Sequence, residues 1–567
     1  MEASARPYDP RTLTLTLPHP PLPPLPPLPT NTTPQPAPPA SGFFFPAIAG
    51  PRYPSPPIFP FRARLVHEAL IRVDQERTRD LILFMASEGL EPTPEEERKR
   101  KDVMEQLKQI ILEWVRKVAW QRHLPKEQIL SITATILAYG SYGLGVYGSN
   151  SDIDALCVGP YFATLEEDFF IVLRSMLQSR PEVSDIHCVK SAKVPLMRFK
   201  LNGISVDFPY AQLCASSVPD DVDLFSPNLA VADETSWRSL SGVLVNKRIL
   251  QLVPHLKNFQ SMLRCIKLWA RRRGVYSHLL GFFGGIHLAI LAAYVCQRLP
   301  NGSINALVTF FFENFSVWPW PKPVILQGSS IPFRHPDGRS LVPIMMPCSS
   351  QFGWCNSNIT KSTYRKIKDE LQRGYLITRD SGRANFEWSC LFEPFPYTKM
   401  YASFVRVFLT APDDDELGDW VGWVKSRFLS LLLKLETMQG YCDPNPTEYV
   451  DHSVSDPNVV FYWGLSPNGS NLTDIISVKE GFMKSVNKDL YSDSRSNRCK
   501  IELSIVDSSQ FPKSLQLDSG ASKGSKACWR IPDYNQQHRR PIIYSPYFPQ
   551  YFVRYVPERR EYDNAVG

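Results

Sequence analysis

The chain has 567 residues, 43% hydrophobic and 21% charged, a balance that excludes a wholly disordered chain and predicts roughly two to four globular domains. Its net charge of +7 permits a nucleic-acid partner without requiring one. The eleven cysteines include no C-x-x-C pair, so neither a zinc site nor a disulfide framework is expected, and a reducing compartment is the natural home; no apolar run reaches transmembrane length and no basic-then-apolar leader opens the chain.

Residues 1–60 hold a large share of the 51 prolines, with Pro-Leu-Pro-Pro-Leu-Pro-Pro-Leu-Pro at 21–29. Such a segment cannot build a core. It is expected to be disordered with polyproline-II character, either an inert tail or a docking segment for an SH3-like or WW-like module. A helix is expected from Arg62 to about Leu90. A second starts at Thr93-Pro94-Glu95-Glu96, where Thr93 caps, Pro94 suits the first turn and Glu96 completes a capping box. Its inner face is Met104, Leu107, Ile110, Ile111, Trp114 and Val118, at helical spacing. The Lys/Arg run at 98–101 reads as a solvated helix face or a weak nuclear-import signal.

From Ala138 to Asp154 the chain reads as a helix N-terminus, a glycine-rich turn and a strand. Gly140 has no side chain, so backbone there can approach a bulky anion. Ser141 adds a hydroxyl and an exposed N–H. Strand alternation puts Asp152 and Asp154 on one side and Ile153 on the other. Two neighbouring carboxylates stay ionised together only around a cation. A phosphate-cradling turn beside such a pair points to Mg²⁺-dependent phosphoryl chemistry. Taken singly, a Gly-Ser turn or an Asp-x-Asp pair is more often an ordinary turn or a solvated edge. The combination therefore needs a third carboxylate. Asn202-Gly203 between two apolar-rich runs is a strong hairpin signal. It places Asp207 on the returning strand, where it can join Asp152 and Asp154 if the hairpin adds to their sheet.

The stretch 211–260 reads as loops and short helices. A strong helix is expected from Phe259 to Arg273, with Met262, Leu263, Ile266, Trp269 and Ala270 inside and Gly274 as its cap. Lys267 lies off that stripe and can reach a cleft. Gly284-Gly285 opens the next helix, and a helical array runs to about 315. Residues 318–361 read as loop, Ser362–Leu371 as helix, and the proline-bearing 392–397 as a domain joint. Beyond it the order is strand (401–409), helix (413 to about 438), strand (459–465), helix (477–490) and strand (500–506). That is a small α+β domain resembling an RNA-recognition fold, without that fold's aromatic signature. Lys479, Lys484, Lys488, Arg495, Arg498 and Lys500 could meet RNA phosphates or form a solvated basic face. Residues 511–567 are expected to be poorly ordered.

Gly-Ser, a dozen residues, Asp-Ile-Asp and a distant strand Asp resemble the polymerase-β nucleotidyltransferase superfamily. Tyr139-Gly-Ser-Tyr-Gly-Leu-Gly-Val, Ser151-Asp-Ile-Asp-Ala-Leu-Cys-Val158, Ile266-Lys-Leu-Trp-Ala-Arg-Arg-Arg-Gly-Val-Tyr-Ser277 and Leu280-Gly-Phe-Phe-Gly-Gly-Ile286 resemble eukaryotic nuclear-type poly(A) polymerases, including plant-like isoforms with a short C-terminus. The likeness runs from about 65 to about 510.

The resemblance implies an α+β multidomain architecture. A polymerase-β-like nucleotidyltransferase domain (61–215) precedes a helical central domain (216–392) and an RRM-like (ferredoxin-like) C-terminal domain (393–510), between a Pro-rich tail (1–60) and a C-terminal tail (511–567). It implies transfer of AMP from ATP to the single-stranded RNA 3′ end. Asp152, Asp154 and Asp207 would be both the catalytic residues and the ligands of Mg²⁺ or Mn²⁺. Tyr139, Gly140, Ser141, Ile153, Lys267, Tyr276, Gly285 and Ile286 would complete the ATP site, with Lys267 on the triphosphate and Tyr276 near base and sugar. It further implies 3′-end processing factors as partners, no membrane, and residence in the nucleus; the short C-terminus leaves the cytoplasm open. Tyr139, Gly143 and Tyr147 replace the family's usual Phe, Arg and His, and Ser241 aligns with an Asn near the ribose. These changes bear on base selectivity or rate. Two rivals stand beside this reading. One is an enzyme adding another nucleotide, such as UMP. The other is an RNA-binding scaffold with a weak site, against which three clustered acids argue.

Overall fold

The computed structural model describes residues 59–190, 192–328, 340–347, 355, 358–379, 386–467, 475–487, 498–507 and 509. The Pro-rich segment and its proposed module partner, the tail beyond 510, and Lys488 and Arg495 of the basic cluster lie outside the described residues.

The chain opens with α1 (Phe59–Ser87) and α2 (Pro94–Gln121). The start of α2 is set by the expected capping box: Thr93 Oγ1 accepts from the Glu96 N–H and the Glu96 carboxylate accepts from the Thr93 N–H. Then come α3 (Lys126–Ser131), β1 (Thr135–Ala138), the single turn α4 (Gly140–Gly143) and β2 (Ile153–Gly159). A π-helical segment (Leu165–Leu173) leads into α5 (Arg174–Gln178) and then β3 (Val183–Val189), β4 (Leu196–Leu201) and β5 (Ile204–Gln212). The five strands form one sheet in the order β1-β2-β5-β4-β3. The β4–β5 hairpin turns at Asn202 (φ 52°) and Gly203 (φ 78°), the backbone that Asn-Gly favours.

Side chains alternate across this sheet, and each face has its own core. Ile136, Ile153, Ala155 and Cys157 pack with Leu107, Ile111 and Trp114 of α2. Leu137, Leu156, Val158 and Ala211 face the other way, into a core shared with a helical region. That region contains α6 (Glu234–Leu252), α7 (Leu256–Arg272), α8 (Gly285–Arg298), α9 (Ile304–Ser316) and α10 (Lys361–Thr378). The α7 stripe is buried as expected, and Gly274 follows it at φ 67°. Two expectations are corrected here. Residues 234–252 form one long helix, and α10 runs to Thr378 rather than Leu371.

Next come α11 (Tyr397–Met400), β6 (Ser403–Thr410), α12 (Asp414–Lys425), α13 (Phe428–Gln439), β7 (Gly440–Asp443), β8 (Asn458–Pro467), α14 (Ile475–Asn487) and β9 (Lys500–Asp507). The sheet order is β7-β8-β6-β9, with every pair antiparallel. The expected single helix 413–438 is two helices, broken near Ser426-Arg427, and β7 was not expected. A further finding concerns the cysteines, for which no disulfide framework is expected. Eight described cysteines are free, but Cys390 is disulfide-bonded.

Buried charge joins the helical region to this second sheet. Lys366 Nζ of α10 donates to both Asp443 oxygens of β7, at 2.8 and 2.7 Å, and to the Tyr397 hydroxyl at 2.8 Å. Arg273, just after α7, makes a bidentate pair with Glu370 at 2.7 and 2.8 Å. All four charged side chains are at least nine-tenths buried. Removing one partner strands the other charge in a dry interior. Lys366→Met is therefore expected to cost about 3–5 kcal/mol, measured by urea unfolding.

Candidate active site

The hairpin adds to the sheet as expected. β2 and β5 run parallel, with Ile153 opposite Val206 and Asp154 opposite Asp207. The carboxylates of Asp154 and Asp207 thus sit side by side on neighbouring strands. Asp152 precedes β2 by one residue, and its charge is coupled to that of Asp207. Ile153 turns away and is fully buried in the α2-side core. The acids accordingly lie on the face toward the helical region.

Burial, then repulsion from Asp207, raises the Asp152 pKa. The same two causes push Asp154 up to about 6, opposed by a hydrogen bond from the Ser141 N–H and by Lys267. Asp207 is held by Arg198, its cross-strand neighbour on β4. Arg198 Nε and Nη2 donate to the two Asp207 oxygens at 2.8 and 3.0 Å. Among the described residues no three acidic, histidine or cysteine side chains stand at metal-binding separation. The three acids are neighbours, but their oxygens are not gathered on one point.

The turn 139–149 packs against the acids. Gly140 has φ 59°, and a Cβ there would collide with the carboxylate of Asp154. The expected reason for this glycine was approach of a phosphate; in the structure it makes room for a carboxylate. The Tyr139 N–H donates to the Asp154 carbonyl at 3.0 Å. The Tyr139 ring lies against Gly242 of α6, where a Cβ would come within 3.0 Å of it.

Helices supply donors to the turn's carbonyls. Asn246 Nδ2 donates to Gly140 O at 2.9 Å and Gln260 Nε2 to Leu144 O at 3.0 Å. Arg264 Nη2 donates to Gly145 O at 2.6 Å, and Arg100 Nη2 to Ser149 O at 2.9 Å. Asn246, Gln260 and Arg264 were not singled out from sequence; Arg100, expected within a solvated helix face at 98–101, is instead buried, with only 3% of its surface exposed, because its guanidinium turns inward to the turn carbonyls. Buried Asn246 on α6 was detectable only as a polar residue inside an apolar run.

Lys267 reaches the turn as well, with Nζ 3.4 Å from Val146 O. Burial first, and the neighbouring Arg271 second, bring its pKa down to about 8, against the pull of Asp154. The Arg271 guanidinium lies 5.3 Å from the centre of the Tyr276 ring. The Tyr276 hydroxyl in turn faces Gly285, whose Cβ would lie 3.3 Å from it. Neighbour by neighbour, Asp154, Lys267, Arg271, Tyr276 and Gly285 connect the carboxylates to the N-terminus of α8. Ile286 is half-buried beside Gly285, and Gly285 is exposed.

The departures from the family pattern are packed rather than open. Tyr147 is buried, with Arg100 5.1 Å from its ring centre. A Cβ on Gly143 would meet Ala138 O at 2.8 Å. Ser241 donates its hydroxyl to Arg238 O within its own helix.

Two family descriptions match the chain: the poly(A) polymerase nucleotidyltransferase domain over residues 71–253 and the poly(A) polymerase central domain over 258–394. The chain belongs to the poly(A) polymerase family. Arabidopsis thaliana nuclear poly(A) polymerase 3 is 52% identical over 486 residues, covering 85% of this chain and 94% of that protein. Nuclear poly(A) polymerase 1 of the same plant is 40% identical over 395 residues, which are 67% of this chain and 55% of that one. A solved cytoplasmic RNA terminal U-transferase superposes with a TM-score of 0.39 at 14% identity, over 57% of this chain and 99% of its own. Among the described residues no helix is long and apolar enough to cross a membrane.

The raised Asp154 pKa has a consequence for the metal-free protein. Folding lifts this group from 3.8 to about 6, so the folded state binds its proton more tightly than the unfolded state does. The resulting stability is complete below pH 3.8 and is lost as the pH rises through about 6. In EDTA, Asp154→Asn is expected to match wild type near pH 4 and exceed it above pH 6. The excess should be about 2 kcal/mol, reduced from the full linkage value for partial exposure. Urea unfolding at several pH values checks this.

Proposed function

We propose that this chain is a polynucleotide adenylyltransferase, adding AMP from ATP to RNA 3′ ends with release of pyrophosphate. The observation that carries the reading is the pairing of Asp154 with Asp207 across parallel strands, with Asp152 coupled to both, in a chain of the poly(A) polymerase family.

The donor set is three hard carboxylates without thiol or imidazole, which suits Mg²⁺ or Mn²⁺. Asp152 and Asp154 would hold both ions and Asp207 the one beside the RNA 3′-hydroxyl; bound there, they lower the pKa of the attacking oxygen and neutralise the leaving pyrophosphate. Lys267, already poised beside the turn, would place positive charge on the triphosphate. Gly140 and Ser141 position Asp154, the first by having no side chain and the second through its N–H. Tyr139 would line the nucleotide side of the turn, and Ile153 would serve through its backbone. Tyr276, Gly285 and Ile286 would form the base and ribose wall. The protein's contribution is orientation and fixed charge.

The proposed domains are nucleotidyltransferase (61–215), helical central (216–392) and RRM-like (393–510). The last rests on two points. Its strand order is β7-β8-β6-β9, and helices connect β6 to β7 and β8 to β9, the split β-α-β pattern. Exposed Lys479, Lys484 and Lys500 are its candidate RNA contacts. Arg498 is engaged with Glu416 at 2.9 Å. Nuclear residence is proposed in line with the names of the Arabidopsis relatives, and 3′-end processing factors are proposed as partners.

Primer extension on single-stranded RNA with each of the four nucleotides tests the reading. ATP-dependent growth requiring Mg²⁺ or Mn²⁺ is the expected result. Preference for UTP would replace it with the uridylyl rival, and no extension with any nucleotide would leave the scaffold reading.

A further inference from the structure

Arg198 is a cation built into the acid cluster. It faces Asp207 across β4 and β5 and takes both of that carboxylate's oxygens, at 2.8 and 3.0 Å. Its field extends further, for its positive charge is also stabilised by Asp152 and Asp154. One guanidinium therefore offsets repulsion among all three acids. Its geometry also matters. Both Asp207 oxygens already accept from Arg198, so a cation entering beside Asp154 competes with the guanidinium for them, and the described residues contain no gathered metal site. Yet the clamp is not locked. The Arg198 side chain is 59% exposed, while that of Asp207 is 19% exposed. A long, solvated side chain can swing away at little cost, because water receives the freed guanidinium.

We propose that Arg198 is a displaceable counter-ion and a positioning residue: it holds Asp207 while the site is metal-free and yields the carboxylate when a divalent cation enters. The inference rests on the polymerase reading of the three acids and adds to it a competition between one internal cation and the metal. Two consequences follow. The arginine weakens metal affinity, because its bidentate bond must break first. It also supports the metal-free fold, because three adjacent acids otherwise stand without compensation. A purely structural ion pair would have the second effect but not the first.

The test uses the full chain without nucleotide or RNA and the probe is Mn²⁺. Free Mn²⁺ is counted by electron paramagnetic resonance, and thermal unfolding is followed with EDTA and with saturating Mn²⁺. Arg198→Gln is expected to bind Mn²⁺ more tightly than wild type by up to about fivefold, the scale of one largely exposed ion pair. It should melt below wild type in EDTA and level with it in Mn²⁺. Arg198→Lys keeps the charge but loses the fork, and is expected to fall between the two in affinity; it also serves if the glutamine variant does not fold. Equal or weaker Mn²⁺ binding by the substituted proteins, with wild type binding normally, overturns the counter-ion proposal and leaves the polymerase reading standing. If wild type binds no Mn²⁺ and Asp152→Asn behaves identically, both fall together.

Discussion

Asp207→Ala is expected to abolish AMP incorporation while leaving the fold in place. Under the proposed assignment Asp207 is the ligand for the ion that activates the RNA 3′-hydroxyl. Losing that ion's stabilisation of the attacking oxygen removes several kcal/mol from the transition state, a fall of about a thousandfold or more in kcat. Stability moves much less, because two changes oppose each other. The Arg198 pair is lost, and with Arg198 59% exposed that pair contributes about 1 kcal/mol or less. Repulsion of Asp207 on Asp152 and Asp154 is lost as well. The net change in unfolding free energy is therefore expected to stay within about 1 kcal/mol. Single-turnover primer extension beside urea unfolding separates the two. Normal extension by a well-folded Asp207→Ala would reject the carboxylate assignment.

The parts of this site that depend on short-range rules were legible in the sequence. A turn of two residues, Asn202-Gly203, fixes a hairpin's register, and with it which face Asp207 occupies. The same register also determines a pair that sequence reasoning passed over. Ile204 is opposite Leu201, so three positions further along Asp207 must meet Arg198. The signal for Arg198 was present and needed only the count to be continued.

Other features had no local signal. The helix α6 buries Ser236, Ser239 and Asn246 along with Leu240, Val243 and Ile249. A helix enclosed by protein on more than one side loses the single apolar stripe by which helices are recognised. The break between α12 and α13 falls within an otherwise helical run, and β7 is four residues long. Long-range contacts decide both. The neighbour of Gly140 was hidden for a related reason. A glycine in a turn implies close approach of something, and only the fold identifies it as the Asp154 carboxylate.

That identification makes Gly140→Ala the second large effect. Two terms act together. The backbone at φ 59° costs an alanine about 1–2 kcal/mol. Beyond this, the new methyl would occupy the volume of the Asp154 carboxylate, so Asp154 or the turn must shift. Displacement of a reacting-site group by even 1 Å can cost about a hundredfold in rate. Activity is therefore expected to fall by about two orders of magnitude or more, well beyond what the stability loss explains while the protein remains folded. Gly203→Ala separates the terms. Gly203 has φ 78° with nothing within 4 Å of its Cβ position. It carries the backbone strain without the collision, and it sits at the far end of the hairpin, four residues from Asp207. Gly203→Ala should lose comparable stability in urea and retain wild-type primer extension at 25 °C, while Gly140→Ala loses both. Equal activity losses in the two variants would mean that instability alone is responsible and that Gly140 does not position Asp154.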